Sequence, residues 1–220
     1  MLILAVETAT DRGSLALADA GRVVGEYAFT APGSYLQHLL PGLEALLAAA
    51  GRRLSEVDAL AVSQGPGNFT ALRIGLATAK GLAWSLGVPL VAVSTLEVVA
   101  AQIPEPDRPV GVLIDAKRRE VYLGLYDFSE ARAQELDDPR RLPLDALPAR
   151  LSPPLILTGP GLSAYEEFLR TSLDPEIQLA PLEMRHPQAS TLARLARDRL
   201  QAGITVSPQD LSPTYLRPAL

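Results

Sequence analysis

Two recurrences in the 220-residue sequence predict an α/β fold built from two related lobes. The first is a strand, an acidic residue, a polar turn and a second strand. It reads LILAVETATDRGSLALAD near the start and VGVLIDAKRREVYLGLYD later, with Glu7 and Asp115 in matching places. The second is a strand, a Gly-Pro-Gly turn and a helix, around Gly65-Pro66-Gly67 and again around Gly159-Pro160-Gly161. Both units recur in the same order, the pattern of a duplicated supersecondary unit. Between the copies, IPEPDRP concentrates prolines as a lobe boundary does, dividing the chain into residues 1–104 and a smaller second lobe, 109–220.

The elements follow in order. Leu2 to Val6 is a continuous apolar run that reads as a buried strand, and SLALAD and VVGEYAF extend it into a three-stranded meander. Leu36, Leu39, Leu40, Leu43, Leu46, Leu47 and Ala50 then recur at helical spacing, and Gly51 ends the run, with Pro41 expected to sit in the first turn or bend the helix. Ala59 to Ser63 is a buried strand, and Asn68 or Thr70 caps a helix running from about Ala71 to Leu86. In that helix Ala71, Gly75, Ala79 and Ala83 form one stripe of small residues. Leu72, Leu76, Ala79, Ala83 and Leu86 are expected to face the sheet. Gly75 and Gly81 each cost about 1 kcal/mol against alanine in a helix interior, so another group must come very close, either within the core or across a subunit contact. A strand, Pro89 to Val93, and a helix from Ser94 or Thr95 complete the first lobe. In the second, Ser129 to Pro154 reads as a loop-dominated insertion, and a last helix spans about Ser190 to Ala202 before an extended tail.

Composition narrows the function classes. A net charge of −5 does not suit a protein that grips nucleic acid with its whole surface, and local clusters such as Lys117-Arg118-Arg119 read as solvated faces. Without cysteine there are no disulfides or thiolate metal sites, and His38 and His186 are too far apart to form a helical ligand pair. No metal site is expected. No apolar run approaches the roughly 18 residues of a membrane span, and LILAV at the start lacks the marks of a signal peptide, so a cytoplasmic protein is expected.

GPGNFTALRIGLATAKGLA, followed by VPLVAVSTLE, resembles the TsaB family of bacterial tRNA threonylcarbamoyladenosine biosynthesis proteins. The opening LILAVETAT and the closing SPTYLRP fit the same family, and the similarity is weakest between about Ser129 and Leu155. The resemblance implies a non-catalytic subunit that pairs with TsaD when threonylcarbamoyl is transferred to the adenosine next to the anticodon of ANN-decoding tRNAs. It also implies TsaC upstream, the small ATPase TsaE as a further partner, and tRNA contact only through the complex. A homodimer is expected when the chain is alone, because an apolar partner face can pair with itself about a two-fold axis.

The duplicated plan is similar to that of the actin-like ATPase superfamily, which includes sugar kinases, with the second lobe reduced here. That likeness places Glu7, Thr8, Thr10 and Asp115 around a nucleotide cleft. The turns ETATDRGS and DAKRR lack the glycines that let phosphate approach a backbone, so ATP or ADP is expected only at a complex interface. An active ATPase or kinase of the same fold remains the alternative. The expected partner face combines Tyr35, Leu39, Leu43 and Leu46 of the first long helix with Arg73, Ala77, Lys80 and Trp84 of the second. Trp84 is the chain's one tryptophan, and Trp and Arg are enriched at interface hot spots.

Overall fold

The computed structural model describes residues 1–30, 35–129 and 133–216. Part of the SPTYLRP motif, Arg217 and Pro218, lies outside these residues.

Two five-stranded sheets share one plan. In the first, β1 (Leu2–Glu7) pairs antiparallel with β2 (Arg12–Asp19), which pairs antiparallel with β3 (Arg22–Thr30). On its other side β1 runs parallel to β4 (Ala59–Ser63), and β4 parallel to β5 (Leu90–Val93). The second sheet repeats these relations with β6 (Val110–Lys117), β7 (Glu120–Asp127), β8 (Gln134–Pro143), β9 (Leu155–Thr158) and β10 (Ile177–Leu179). The units read as duplicated in the sequence occupy matching places in the two sheets, and the structure adds β8 and β10 to the second copy.

Apart from the largely exposed edge strand β3, the first sheet is buried on both faces, so β1, β4 and β5 read as apolar runs. Leu2, Leu4 and Val6 of β1 point to one face and pack against α1 (Tyr35–Ala49) and α2 (Phe69–Leu86). Ile3 and Ala5 point to the other face, among the alanines of β2 and β4. That face is covered by α6 (Ala189–Gln201), which buries Ala189, Leu192, Ala193 and Ala196 against it. The small sheet side chains let the helix come close. A short helix, α3 (Thr95–Ala100), follows β5.

The chain accordingly divides into Met1–Val98 with Pro187–Thr214, and Val99–His186 joined by Tyr215 and Leu216. This differs from the sequence division at residues 104–109, because α6 and the following tail belong with the first sheet. The tail bridges Leu90 through Val206, buries Leu211 in the first core, and ties the Thr214 N–H to the Gln64 carbonyl at 2.7 Å. Among the described residues the α-helices that lie wholly within the second unit are the short α4 (Gly161–Ala164) and α5 (Glu166–Ser172). Where a loop-dominated insertion was expected, β8 forms a ten-residue edge strand rich in charge. Pro41 lies inside α1 beyond its first turn.

Candidate functional site

The first hairpin is sealed. Glu7, at the end of β1, is fully buried. Its carboxylate accepts a hydrogen bond from the Ala9 N–H at 2.7 Å and another from the Ser63 hydroxyl at the end of β4. Burial pushes the carboxyl up to about 7 despite these two donors. The Thr8 hydroxyl donates to the Ala71 carbonyl of α2 at 2.8 Å. It occupies the space left by Gly75, where a Cβ would collide with it. Thr10 donates to the Arg12 carbonyl at 3.1 Å, and its own carbonyl accepts from the Tyr35 hydroxyl. The Asn68 N–H donates to the Ala9 carbonyl at 2.7 Å, so close that a side chain at Gly67 would run into that oxygen. The structure brings Glu7, Thr8 and Thr10 together, but as a buried network locking β1 to the start of α2.

The corresponding place in the second unit is more open. Burial raises the Asp115 carboxyl, but hydrogen bonds from Lys117 and from the Tyr165 hydroxyl outweigh it and leave the group below its ordinary value. These bonds are 2.6 Å from Lys117 Nζ, 2.8 Å from Lys117 N and 2.8 Å from Tyr165. Lys117, Arg118 and Arg119 all hold positive φ, 64°, 57° and 57°, a region where glycine is favoured. A phosphate site needs backbone donors turned outward beside small residues. In the first hairpin the Ala9 and Asn68 amides are engaged within the turn, and in the second the left-handed residues carry long side chains. These residues do not fit a nucleotide phosphate.

Among the described residues no three His, Asp or Glu side chains gather as a metal-binding group. His38 stacks on Phe29 with ring centroids 5.6 Å apart.

The expected partner face needs correction on the first helix. Tyr35, Leu39, Leu43 and Leu46 are at most 5% exposed, because α1 lays that side on its own sheet. Its outward apolar positions are Leu36 and Leu40, 65% and 50% exposed. On α2 the sheet-facing set is as predicted for Leu76, Ala79 and Ala83, with Leu86 packed at the margin, and Leu72 is buried as well. Asn68 caps this helix, accepting from the Thr70 and Ala71 amides, and Gly87 closes it with φ +66°. On the other side Arg73 and Ala77 are exposed and Trp84 is 67% exposed. Lys80 is half-buried and donates to the Leu211 carbonyl at 3.0 Å, which makes it a tether for the tail. Sequence reasoning missed Phe69, which is exposed and carries the Arg73 guanidinium 3.8 Å from its ring centroid. Its i, i+4 spacing to Arg73 was the available signal. The two glycines of α2 now separate, since Gly75 meets Thr8 while a Cβ at Gly81 would meet nothing within 4 Å.

The family model described as TsaD, tRNA N6-adenosine threonylcarbamoyltransferase, matches residues 30–219. The Escherichia coli tRNA threonylcarbamoyladenosine biosynthesis protein TsaB is 30% identical over 223 residues, spanning 99% of this chain and 95% of that one. The chain belongs to the TsaB family. A solved structure of YeaZ from Pseudomonas aeruginosa superimposes with a TM-score of 0.83 at 32% identity, covering 98% of this chain and 99% of the other. TsaB relatives thus match both lobes and the segment between them. The likeness extends more distantly to the ADPNP-bound activator of 2-hydroxyisocaproyl-CoA dehydratase from Clostridium difficile, with TM-score 0.53 and 13% identity over 92% and 97% of the two chains. At that distance it shows the fold alone, the two-lobed actin-like type. Among the described residues no helix is long and apolar enough to cross a membrane.

Proposed function

We propose that this chain serves tRNA threonylcarbamoyladenosine formation as a non-catalytic cytoplasmic subunit, joined to a TsaD-type protein through the outward face of α2. The observation that carries this reading is Gly81. It sits in a helix interior at a cost of about 1 kcal/mol, yet among the described residues nothing lies within 4 Å of a Cβ placed there. Ala77 lies one turn before it on the exposed side, with Arg73 and Phe69 toward one end of the helix and Trp84 toward the other. Small residues between an aromatic–cation pair and a large exposed ring suit the close approach of another helix. The packing of α1 against α2 adds Leu36 and Leu40 as neighbouring apolar surface. A second copy of the chain meets the same face when the partner is absent, giving a homodimer.

Closure of the first hairpin around Glu7 supports the absence of catalysis by this chain alone. ATP or ADP then enters only where a partner completes a site, TsaE acts on the assembled pair, TsaC supplies threonylcarbamoyl-adenylate, and tRNA is met through the complex. Ala77→Arg tests the face, since an unpaired charge at such a contact costs several kcal/mol, roughly 3–5. Sedimentation should show a folded monomer that no longer binds TsaD, and modification reconstituted with TsaC, TsaD, TsaE and tRNA should drop to the level seen without the chain. A variant that still dimerises and still supports modification would refute the assignment.

A further inference from the structure

Helix α2 carries cations and no acid. Between Phe69 and Leu86 its charged residues are Arg73 and Lys80, with neither aspartate nor glutamate. Lys80 stands in the middle of the outward face. Ala77 lies one turn before it, Gly81 follows it directly, and Trp84 lies one turn beyond, the spacing of neighbours on one helix surface.

Lys80 is half-buried. Its ammonium donates to the Leu211 carbonyl at 3.0 Å, and among the described residues it has no carboxylate partner. A carbonyl oxygen satisfies one of the three N–H groups and leaves the charge itself to be balanced by solvent. Another helix laid over Ala77 and Gly81 would take that solvent away. A cation enclosed without an opposite charge disfavours the contact, whereas one enclosed against a well-placed carboxylate forms a strong, directional pair.

A second copy of the chain is poorly equipped to supply that carboxylate. Its α2 brings the same two cations, and α1 has a single acid, the exposed Glu44, to set against them. A partner with an acid at this point would therefore be preferred over self-pairing, since like charges brought together act against the wrong partner. We infer that the partner seated on α2 presents an aspartate or glutamate side chain to Lys80, and that this pair selects the heterologous partner over a second copy. The inference rests on the α2 face being the contact of the proposed function.

Sedimentation of the full chain, alone and with the TsaD-type protein, tests it at about 0.1 M and about 1 M salt, between which the screening length falls from about 10 to about 3 Å. The heterodimer should weaken as salt rises, and the homodimer should not. Lys80→Met keeps the stem and removes the charge. It should weaken the heterodimer about tenfold or more at the lower salt, the scale of a hydrogen bond to a charged group. It should also remove most of the salt dependence and leave the homodimer as tight or tighter. Lys80→Arg, which keeps the charge, should retain most of the affinity. Loss of the tether to Leu211 alone would loosen both dimers together, so a response confined to the heterodimer separates charge pairing from placement of the tail. If Ala77→Arg abolishes binding while Lys80→Met leaves the heterodimer and its salt dependence unchanged, the face stands and the carboxylate assignment falls. Equal weakening of both dimers by Lys80→Met would also overturn it. If the Ala77→Arg chain still binds the partner, the face and this inference fall together.

Discussion

Glu7 and Asp115 stand at or near the ends of equivalent strands in two copies of one sheet, yet their carboxyls shift in opposite directions. Glu7 is enclosed by β4 and the long α2, so burial outweighs its donors and the acid is held near neutrality. Asp115 faces a unit with short helices, where Lys117 and Tyr165 reach it and favour the anion. The comparison teaches that the fold fixes where an acid stands, while the groups packed at that point decide what state it takes. At Glu7 burial dominates. At Asp115 the Lys117 and Tyr165 donors dominate.

The sharpest test of that equivalence lies in the turns. Gly65 and Gly159 share a left-handed conformation, φ +105° and +109°. A Cβ at Gly159 would collide with the Leu113 backbone inside β6, whereas at Gly65 it would stand 2.9 Å from the Thr214 carbonyl of the tail. A strand within a sheet cannot yield, and a terminal segment can. Gly159→Ala should therefore cost about 3 kcal/mol or more, and Gly65→Ala about 1–2, by denaturant unfolding. Equal losses would break the distinction between the two turns.

The acids come next. A carboxyl whose folded value is raised loses stability as pH climbs from about 4.5, its unfolded value, to about 7, and holds that deficit above. Glu7→Gln should remove this slope and stabilise the protein above pH 7 by an amount on the order of 3 kcal/mol, to be read from unfolding curves at pH 5 and 8. Asp115 has the reverse sign. Its contribution is present above the ordinary carboxylate value of 3.8 and lost as pH falls below it. Being partly exposed, it is screened, so Asp115→Asn should cost about 1 kcal/mol or less at pH 7. A similar pH profile for both variants would show that the two strand ends do not differ as described.

The smallest effect concerns the second hairpin. Arg118→Gly relieves a left-handed backbone but adds chain entropy to the unfolded state, so a gain of about 0.5 kcal/mol is expected. At Thr10, the matching position, glycine should lose stability because the hydroxyl bonded to Arg12 is removed.

How much of this could be read beforehand varies by element. The strand–acid–strand and Gly-Pro-Gly units were legible because buried strands and obligatory glycines leave strong local marks. The orientation of α1 was not. Seven apolar positions exceed one face, and spacing alone cannot say that Leu39 and Leu43 turn inward while Leu36 and Leu40 turn out. The edge strand β8 was hidden because QELDDPRRLP has charge in place of alternation, as an edge that discourages further pairing does. Thr8, Thr10 and Glu7 were found as a group, but their closure depends on Gly75 and Ala71, contacts that no window of sequence displays.

The return of the chain to its first sheet has a consequence for synthesis. One face of that sheet stays bare until Ala189–Gln201 has been made, and the edge at Leu90 until Val206 follows. Emerging from the ribosome, the chain carries every strand of its first sheet while Ile3, Ala5, Ala59 and Ala61 still lack their cover. The stretch from Val99 to His186 carries all five strands of the second sheet and is made before α6 completes the first unit, although Tyr215 and Leu216 join the second unit only at the end. A truncated chain ending near residue 186 should therefore present a second unit short of a few terminal residues and a first unit short of a whole helix.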